Sequence, residues 1–319
     1  GQRGEAIRDL QRRLGAAGFP PTPGAEAGVF CAGTEASVRA FQQSRGLRVD
    51  GRCDADTWAG LVEASWRLGD RLLFLTAPNL RGDDVAELQT RLGRIGFDCG
   101  KVDGILGPIT ARALHDFQSN CGLVVDGTCG PVTLRAIERV SRQTGTGPGV
   151  ATVREKDRLR STSSSLRGLR VVIGHFGGLG TLTRAITRDL RLCGAVVISV
   201  DEPDARTQAA AANNFGAHVY LGFESRPDEP SRIAYYAVPA FESAGGRSLA
   251  TRLAAGLAEA SGIDPCPEGL RLQVLRETRM PAVLVSIGAV RRIIDVSADV
   301  TLIVRNALEA WAGKPLAVD

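Results

Sequence analysis

The sequence predicts a multidomain chain: two small all-α three-helix domains, then an α/β domain whose mostly parallel sheet is flanked by helices. Three observations carry this. A long internal repeat fills residues 1–143, and from residue 168 onward apolar runs of strand length and helix length alternate. The chain is also long enough, at 319 residues with 44% hydrophobic content, to bury more than one core.

The repeat is read residue by residue. Ile7, Leu10, Gln11, Leu14, Gly15, Gly18 and Phe19 recur as Val85, Leu88, Gln89, Leu92, Gly93, Gly96 and Phe97, an offset of 78 (85 minus 7). Thr34, Val38, Phe41, Gln42, Gly46, Leu47, Val49, Asp50, Gly51, Cys53 and Thr57 recur as Thr110, Leu114, Phe117, Gln118, Gly122, Leu123, Val125, Asp126, Gly127, Cys129 and Thr133, at 76 (110 minus 34). Two residues drop out of the loop between, and each copy is one small domain, expected at 1–68 and 78–143. Ile7, Leu10 and Leu14 have helical spacing, as do Val85, Leu88 and Leu92, and the glycine pairs at 15 and 18 and at 93 and 96 supply the stop. Val38 and Phe41 (Leu114 and Phe117) mark a second helix. Val-Asp-Gly at 49–51 and 125–127 reads as a tight turn into a short third helix.

The pattern Leu-Gln-x-x-Leu-Gly-x-x-Gly-Phe, then Phe-Gln-x-x-x-Gly-Leu-x-Val-Asp-Gly, resembles the type-1 peptidoglycan-binding domain. The resemblance implies muropeptide or glycan binding; protein docking is the other role considered, because the repeated residues are core and turn residues that would recur under either. The first copy departs in its loop, where Pro20, Pro21, Thr22, Pro23 and Cys31 stand against Val102, Asp103, Gly104, Ile105, Leu106 and Gly107 of the second. His115 reads as a helix-surface residue.

Residues 144–167 read as a linker. Thr-Gly-Thr-Gly-Pro-Gly at 144–149 holds no core element, 154–160 is a mixed charge run, and 161–165 is a Ser/Thr tract. The expectation is a solvated tether, with a phosphorylation segment for a Ser/Thr kinase as the other reading.

The α/β domain is expected at 168–315. Strands are read at 169–173, 195–200, 219–223, 233–238 and 282–287, with a further element at 270–275, and helices at 181–193, 204–215, 244–260 and 300–311. Ala282 to Ile287 is apolar and β-branched without polar alternation, as in a strand covered on both faces, and Pro281 fits its opening, where a missing N–H is tolerated. Ser286 sits near its carboxyl end, where open α/β sheets place ligands.

Met280-Pro281-Ala282-Val283-Leu284-Val285, together with Ala212-Asn213 and Gly216-Ala217, resembles the zinc-dependent N-acetylmuramoyl-L-alanine amidases of the amidase-3 type. The resemblance implies a zinc held by His, Glu and His, and a glutamate after the Val-Leu-Val run as general base for the metal-bound water. Ser286 holds that last position, and a hydroxyl is no base near neutral pH. The first histidine belongs to an Asp-Pro-Gly-His-Gly-Gly turn. Here the segment Ile173-Gly174-His175-Phe176-Gly177-Gly178 puts Phe176 at the ligand position when aligned on the glycines, and Gly177 when aligned on the strand. His175 is one or two residues away, and one step along an extended segment reverses a side chain. No Asp or Glu lies between Ser161 and Arg188 to serve as the second ligand. The third position holds Glu224, and His218 lies six residues away, about 20 Å along a strand. His175, Phe176, Glu224 and Ser286 are therefore expected to mark a vestigial pocket with no catalytic, cofactor or metal role. A rebuilt His175–Glu224 zinc site belongs only to the alternative reading, an active zinc amidase.

Two such repeats before a degenerate amidase-3 domain resemble the CwlM-like family. That resemblance implies a cytoplasmic, non-catalytic regulator of peptidoglycan precursor synthesis, activating the UDP-N-acetylglucosamine enolpyruvyl transferase by contact and controlled by phosphorylation. A muropeptide-binding sensor is the second alternative. The net charge of +4 makes no case for nucleic acid, and no apolar run approaches the roughly 18 residues of a membrane span. The basic residues are nearly all arginine, with lysine only at 101, 156 and 314. No signal peptide is visible, but the chain opens on Gly1 without Met, which leaves a removed leader and an envelope location open. Seven scattered cysteines, none in a Cys-x-x-Cys pair, point to reduced and mostly buried thiols in a cytoplasmic protein.

Overall fold

The structure is a computed structural model and describes residues 3–22, 24–142, 149–162, 164–227, 229–261, 265–288 and 297–317. The chain divides into two compact units, residues 1–151 and 152–319. The first contains both repeats and the second the α/β domain.

In the first repeat, α1 (Glu5–Ala16), α2 (Ala32–Ser44) and α3 (Ala55–Glu63) pack around Leu10, Leu14, Val38, Phe41 and Leu61. In the second, α4 (Asp83–Arg94), α5 (Pro108–Asn120) and α6 (Pro131–Ser141) enclose Val85, Leu88, Leu92, Leu114, Phe117 and Ile137. The helical spacing read in the sequence is the buried face of α1 and α4. Both helices stop alike: Gly18 and Gly96 take positive φ (89° and 99°), and the next residue's N–H reaches back to Leu14 O and Leu92 O. The aromatic rings that follow, Phe19 and Phe97, meet Phe41 and Phe117 edge-on at 5.8 and 5.4 Å.

The recurrent glutamines prove to be clamps. Gln118 Nε2 donates to Asp126 Oδ1 (2.8 Å), Thr128 O (3.1 Å) and Thr133 Oγ1 (3.2 Å), while its Oε1 accepts from Gly127 N (2.9 Å). Gln42 makes the same set with Asp50, Arg52 O, Thr57 and Gly51 N, and Gln89 with Asp103, Ile105 O, Thr110 and Gly104 N. Gln11 holds Val29 O, Thr34 and Gly28 N. In all four the clamped glycine has positive φ (79°, 75°, 70° and 67° in chain order), and the threonine opening the next helix follows by six residues (34 minus 28). The duplication thus hides a finer one: helix, glycine turn, threonine, four times over. Only the first lacks an Asp before its glycine, having Ala27 instead, which is where the first copy's loop departs.

Two boundaries shift from the sequence reading. The second repeat begins ahead of residue 78. Leu73 is fully buried in its core, Leu73 N and O pair with Cys129 O and N at 3.3 and 2.8 Å, and Arg71 holds the buried Asp84 at 2.7 Å. The linker 144–167 is also not a tether throughout. Residues 144–148 lie outside those described, but α7 (Val150–Arg160) is a helix, despite its charge run, and its carboxyl part packs on the α/β domain. Leu159 joins the core there, and Glu155 accepts from Ser243 Oγ (2.5 Å) and Ala244 N (3.0 Å), capping the next domain's long helix.

That domain runs β1 (Arg170–His175), α8 (Gly180–Leu192), β2 (Val196–Asp201), α9 (Ala205–Phe215), β3 (Val219–Ser225), β4 (Arg232–Val238), β5 (Phe241–Glu242), α10 (Ala244–Ser261), β6 (Pro267–Leu270), α11 (Gln273–Glu277), β7 (Ala282–Ile287) and α12 (Ser297–Gly313). The element expected at 270–275 is instead the end of β6 and most of a short helix. The sheet order is β2-β1-β3-β7-β4-β5, with β6 beside β4. It is mostly parallel; β4 runs antiparallel to β7 and β5. One face, bearing Ile173, Leu221, Phe223, Val283 and Val285, is covered by α8, α10 and α12. The other meets α9 and α11. No helix among the described residues is long and apolar enough to cross a membrane.

The cysteines are all free, and the burial expectation holds for two of them: Cys99 and Cys129 are buried, Cys266 is exposed and the rest are half-buried. Burial pushes the Cys53 thiol up to about 11 and Cys129 up to about 12, and raises Cys99 further, so these carry little thiolate at neutral pH. Hydrogen bonds at the start of α2, first from Thr34, lower Cys31 instead. Thiol titration of native protein should therefore show Cys31 and Cys266 reacting first and Cys99 and Cys129 last, with all seven free after denaturation without reductant. Fewer free thiols would mean disulfides and an oxidising compartment.

Candidate functional site

The four positions singled out in the sequence sit at the carboxyl ends of the central strands, but they form two groups. Residues paired across strands share a face, and successive residues alternate. His175 pairs in register with Phe223, whereas Glu224 pairs with Ser286. His175 thus points with Phe223 toward the α8 side, where its ring lies 3.7 Å from where a Cβ on Gly180 would be. Glu224 and Ser286 point to the opposite side. Its neighbours confirm the assignment: a Cβ on Gly174, one residue before His175, would fall 2.0 Å from Gln208 Oε1 and 2.5 Å from the Tyr220 hydroxyl on the α9 side.

On that side the groups satisfy one another. The Ser286 hydroxyl donates to Glu224 Oε1, and Arg226 Nε lies 3.2 Å from Glu224 Oε2, with Glu229 a further 3.8 Å from the guanidinium. Glu224 and Ser286 are both buried, while Arg226 is half-exposed. Below them Tyr220 donates to Gln208 Oε1 at 2.6 Å, and Gln208 donates to the carbonyls of His175 (3.1 Å) and Glu202 (2.6 Å). Burial, and then the Glu224 charge, push the Tyr220 hydroxyl far above the ordinary phenol range, so it remains a donor. Asn213 staples α9 to the approach of β7, donating to Glu277 O (2.9 Å) and accepting from Arg279 N (2.8 Å).

On the other side His175 is buried, its Nδ1 3.3 Å from Asp201 Oδ1, the carboxylate of its register partner on β2. Phe176, the other alignment choice, is half-buried, and its N–H bonds Phe223 O at 3.1 Å. His218 is tied to the start of the sheet, Nδ1 accepting from Arg170 N, and burial lowers its pKa. His115 is exposed on α5, its ring against Gly127. Sequence reasoning did not single out Asp201, Gln208 or Tyr220; strand pairing sets Asp201 beside His175, and the packing of α9 on the sheet brings Gln208 to Tyr220 and to the His175 carbonyl.

A hydrolytic zinc needs three protein ligands converging on one point with a fourth position open. Among the described residues no group of three His, Cys, Asp or Glu could hold a metal ion, and the sheet separates the two ligand types that survive, His175 and Glu224. These residues do not fit the metal.

The fold and the clamped repeats together define a class: a duplicated peptidoglycan-binding module followed by an α/β domain of the amidase-3 type. The family model described as "Putative peptidoglycan binding domain" matches residues 3–61 and 81–137. The N-acetylmuramoyl-L-alanine amidase CwlM of Mycobacterium tuberculosis (strain ATCC 25618 / H37Rv) is 34% identical over 295 residues, 82% of this chain and 72% of that protein. A probable N-acetylmuramoyl-L-alanine amidase of Bacillus licheniformis is 34% identical over 139 residues, 39% of either chain. Among solved structures, the N-acetylmuramoyl-L-alanine amidase of Clostridium difficile 630 overlaps 46% of this chain and 98% of its own, with 16% identity and a TM-score of 0.39. The chain belongs to the CwlM family.

Proposed function

We propose that this chain is a non-catalytic member of its family, a regulator of peptidoglycan precursor synthesis that acts by protein contact, with the UDP-N-acetylglucosamine enolpyruvyl transferase as the partner it activates. The observation that supports the loss of catalysis is the split of His175 and Glu224 across the sheet, with Ser286 where the amidase-3 type carries its general base. A hydroxyl bonded to a buried carboxylate neither binds zinc nor deprotonates water at neutral pH. A Ser/Thr kinase acting on the 161–165 tract, and a cytoplasmic location, belong to the same proposal.

Elemental analysis should find zinc far below one per chain, and added zinc should elicit no muramyl-peptide cleavage. Near-stoichiometric zinc, lost to a chelator together with such cleavage, would establish the amidase reading instead. The regulatory half is tested by adding the purified chain to the enolpyruvyl transferase: a saturable rise in its turnover is expected, and unchanged turnover with no detectable complex would remove that partner.

A further inference from the structure

Helix α8 carries Arg184, Arg188 and Arg191 at spacings of four and three, which sets them on one face of the helix. That face, with Thr187, Leu192 and Ser199, lines a cavity of about 390 Å³. The volume is that of a small-molecule site. No carboxylate lines it. Asp189, the acidic residue of α8, reaches Arg305 on α12 at 3.4 Å instead, and Asp201 at the end of β2 lies beside His175.

Positive charge is therefore left over at this wall. Arg188 has no partner among the described residues, and Arg184 has the Thr181 hydroxyl, at 3.3 Å. Like charges four apart on a helix repel, and an anion between them relieves the repulsion. Two hydroxyls stand at the same wall. Thr187, between the arginines, is 5% exposed and its hydroxyl has no hydrogen-bond partner, a state that costs stability until something bonds it. Ser199 lies on the α8 side of β2, since it pairs in register with Ile173 of the core beneath α8, and its hydroxyl has no partner among the described residues.

The edge of the sheet narrows what this cavity takes. β2 is an edge strand, and Val196 N bonds inward to Leu169 O, so Val197 turns its backbone groups outward. Arg191 Nε and Nη2 donate to Val197 O at 3.1 and 2.7 Å. An incoming peptide strand would need that carbonyl, and a charged side chain laid over an edge blocks strand addition. A compact anion needs only the side chains. We infer that the cavity binds an organic phosphate, a small molecule whose phosphate accepts from the Arg184 and Arg188 guanidiniums and the Ser199 and Thr187 hydroxyls, with its carbon framework against Leu192, which is 81% exposed. Such a site goes beyond the regulatory reading and does not depend on it.

Titration calorimetry of the whole 319-residue chain with phenyl phosphate, in about 0.1 M salt, should show saturable binding at one site. Arg188→Ala should weaken it about tenfold. Arg279→Ala, which removes an exposed arginine next to α9 on the other side of the sheet, should leave it unchanged. Thr187→Val should weaken binding about threefold and yet raise the thermal midpoint of the ligand-free protein, because the methyl group leaves no buried hydroxyl unpaired. Inorganic phosphate should bind about threefold more weakly than phenyl phosphate, and Leu192→Ser should remove that difference. No saturation at millimolar phenyl phosphate overturns the inference. So do equal losses in Arg188→Ala and Arg279→Ala, which would mean attraction to net charge alone. A phosphoserine peptide that displaces phenyl phosphate and binds more tightly would assign the cavity to a modified protein, and the small-molecule reading would fall.

Discussion

Replacing Ser286 by glutamate is expected to give a less stable protein that still cleaves no muramyl peptide. The substitution restores the residue type that the amidase-3 resemblance implies for the general base. It also removes the hydroxyl that donates to Glu224 and sets a second carboxylate beside it, both positions being buried. Arg232, opposite Ser286 on β4, offsets part of this but already faces Glu268 at 3.7 Å. The expected cost is about 2–4 kcal/mol at neutral pH. The sign of its pH dependence follows from the raised pKa that the neighbouring carboxylate imposes on the new one. Below the unfolded value of about 4.3 the new group is protonated in both states and the deficit is least. It grows as pH rises toward the folded pKa, because the native state then holds more protons than the unfolded one. Thermal unfolding of both proteins between acid and neutral pH measures the deficit, and an amidase assay with added zinc measures activity. Cleavage by the single mutant would mean that a working metal site exists after all.

Gln118→Met should destabilise the second repeat by about 3 kcal/mol although the side chain keeps nearly its volume. The methionine would leave the buried Gly127 N–H without an acceptor and take a donor from Asp126, Thr128 O and Thr133 together. Gln11→Met should cost about 1 kcal/mol less, because the first clamp has no carboxylate to receive a charge-assisted bond. Denaturant unfolding followed by circular dichroism tests the pair. Equal, small losses would show that the clamps contribute geometry without stability.

Much of the architecture was legible without coordinates because its signals are local. The spacing of Ile7, Leu10 and Leu14 is a helix face, the apolar run at 282–287 is a buried strand, and the departures from the amidase pattern are residue identities. The recurrence of Gln11, Gln42, Gln89 and Gln118 was equally visible, yet their task was not, since each acts on a glycine 9 to 17 residues away. The 144–167 segment misled for a related reason. Its composition is that of a tether, and α7 is held by Leu159 and Glu155 against α10 and the core, contacts that no window of the sequence contains.

By itself the sequence determined the domain types and their duplication, and supplied the residue identities, Ser286 among them, on which the proposed loss of catalysis rests. Only the tertiary structure decided which side of the sheet each remaining residue faces, and hence that His175 and Glu224 do not meet. It also decided that Leu73, ahead of the second repeat, completes that repeat's core and pairs with Cys129. Helical and strand periodicity are written in neighbouring residues, and a residue type is written in one. Register between strands is different: a slip of one position exchanges the two faces of a sheet, and it is fixed by pairing between residues about 50 to 60 apart in the chain.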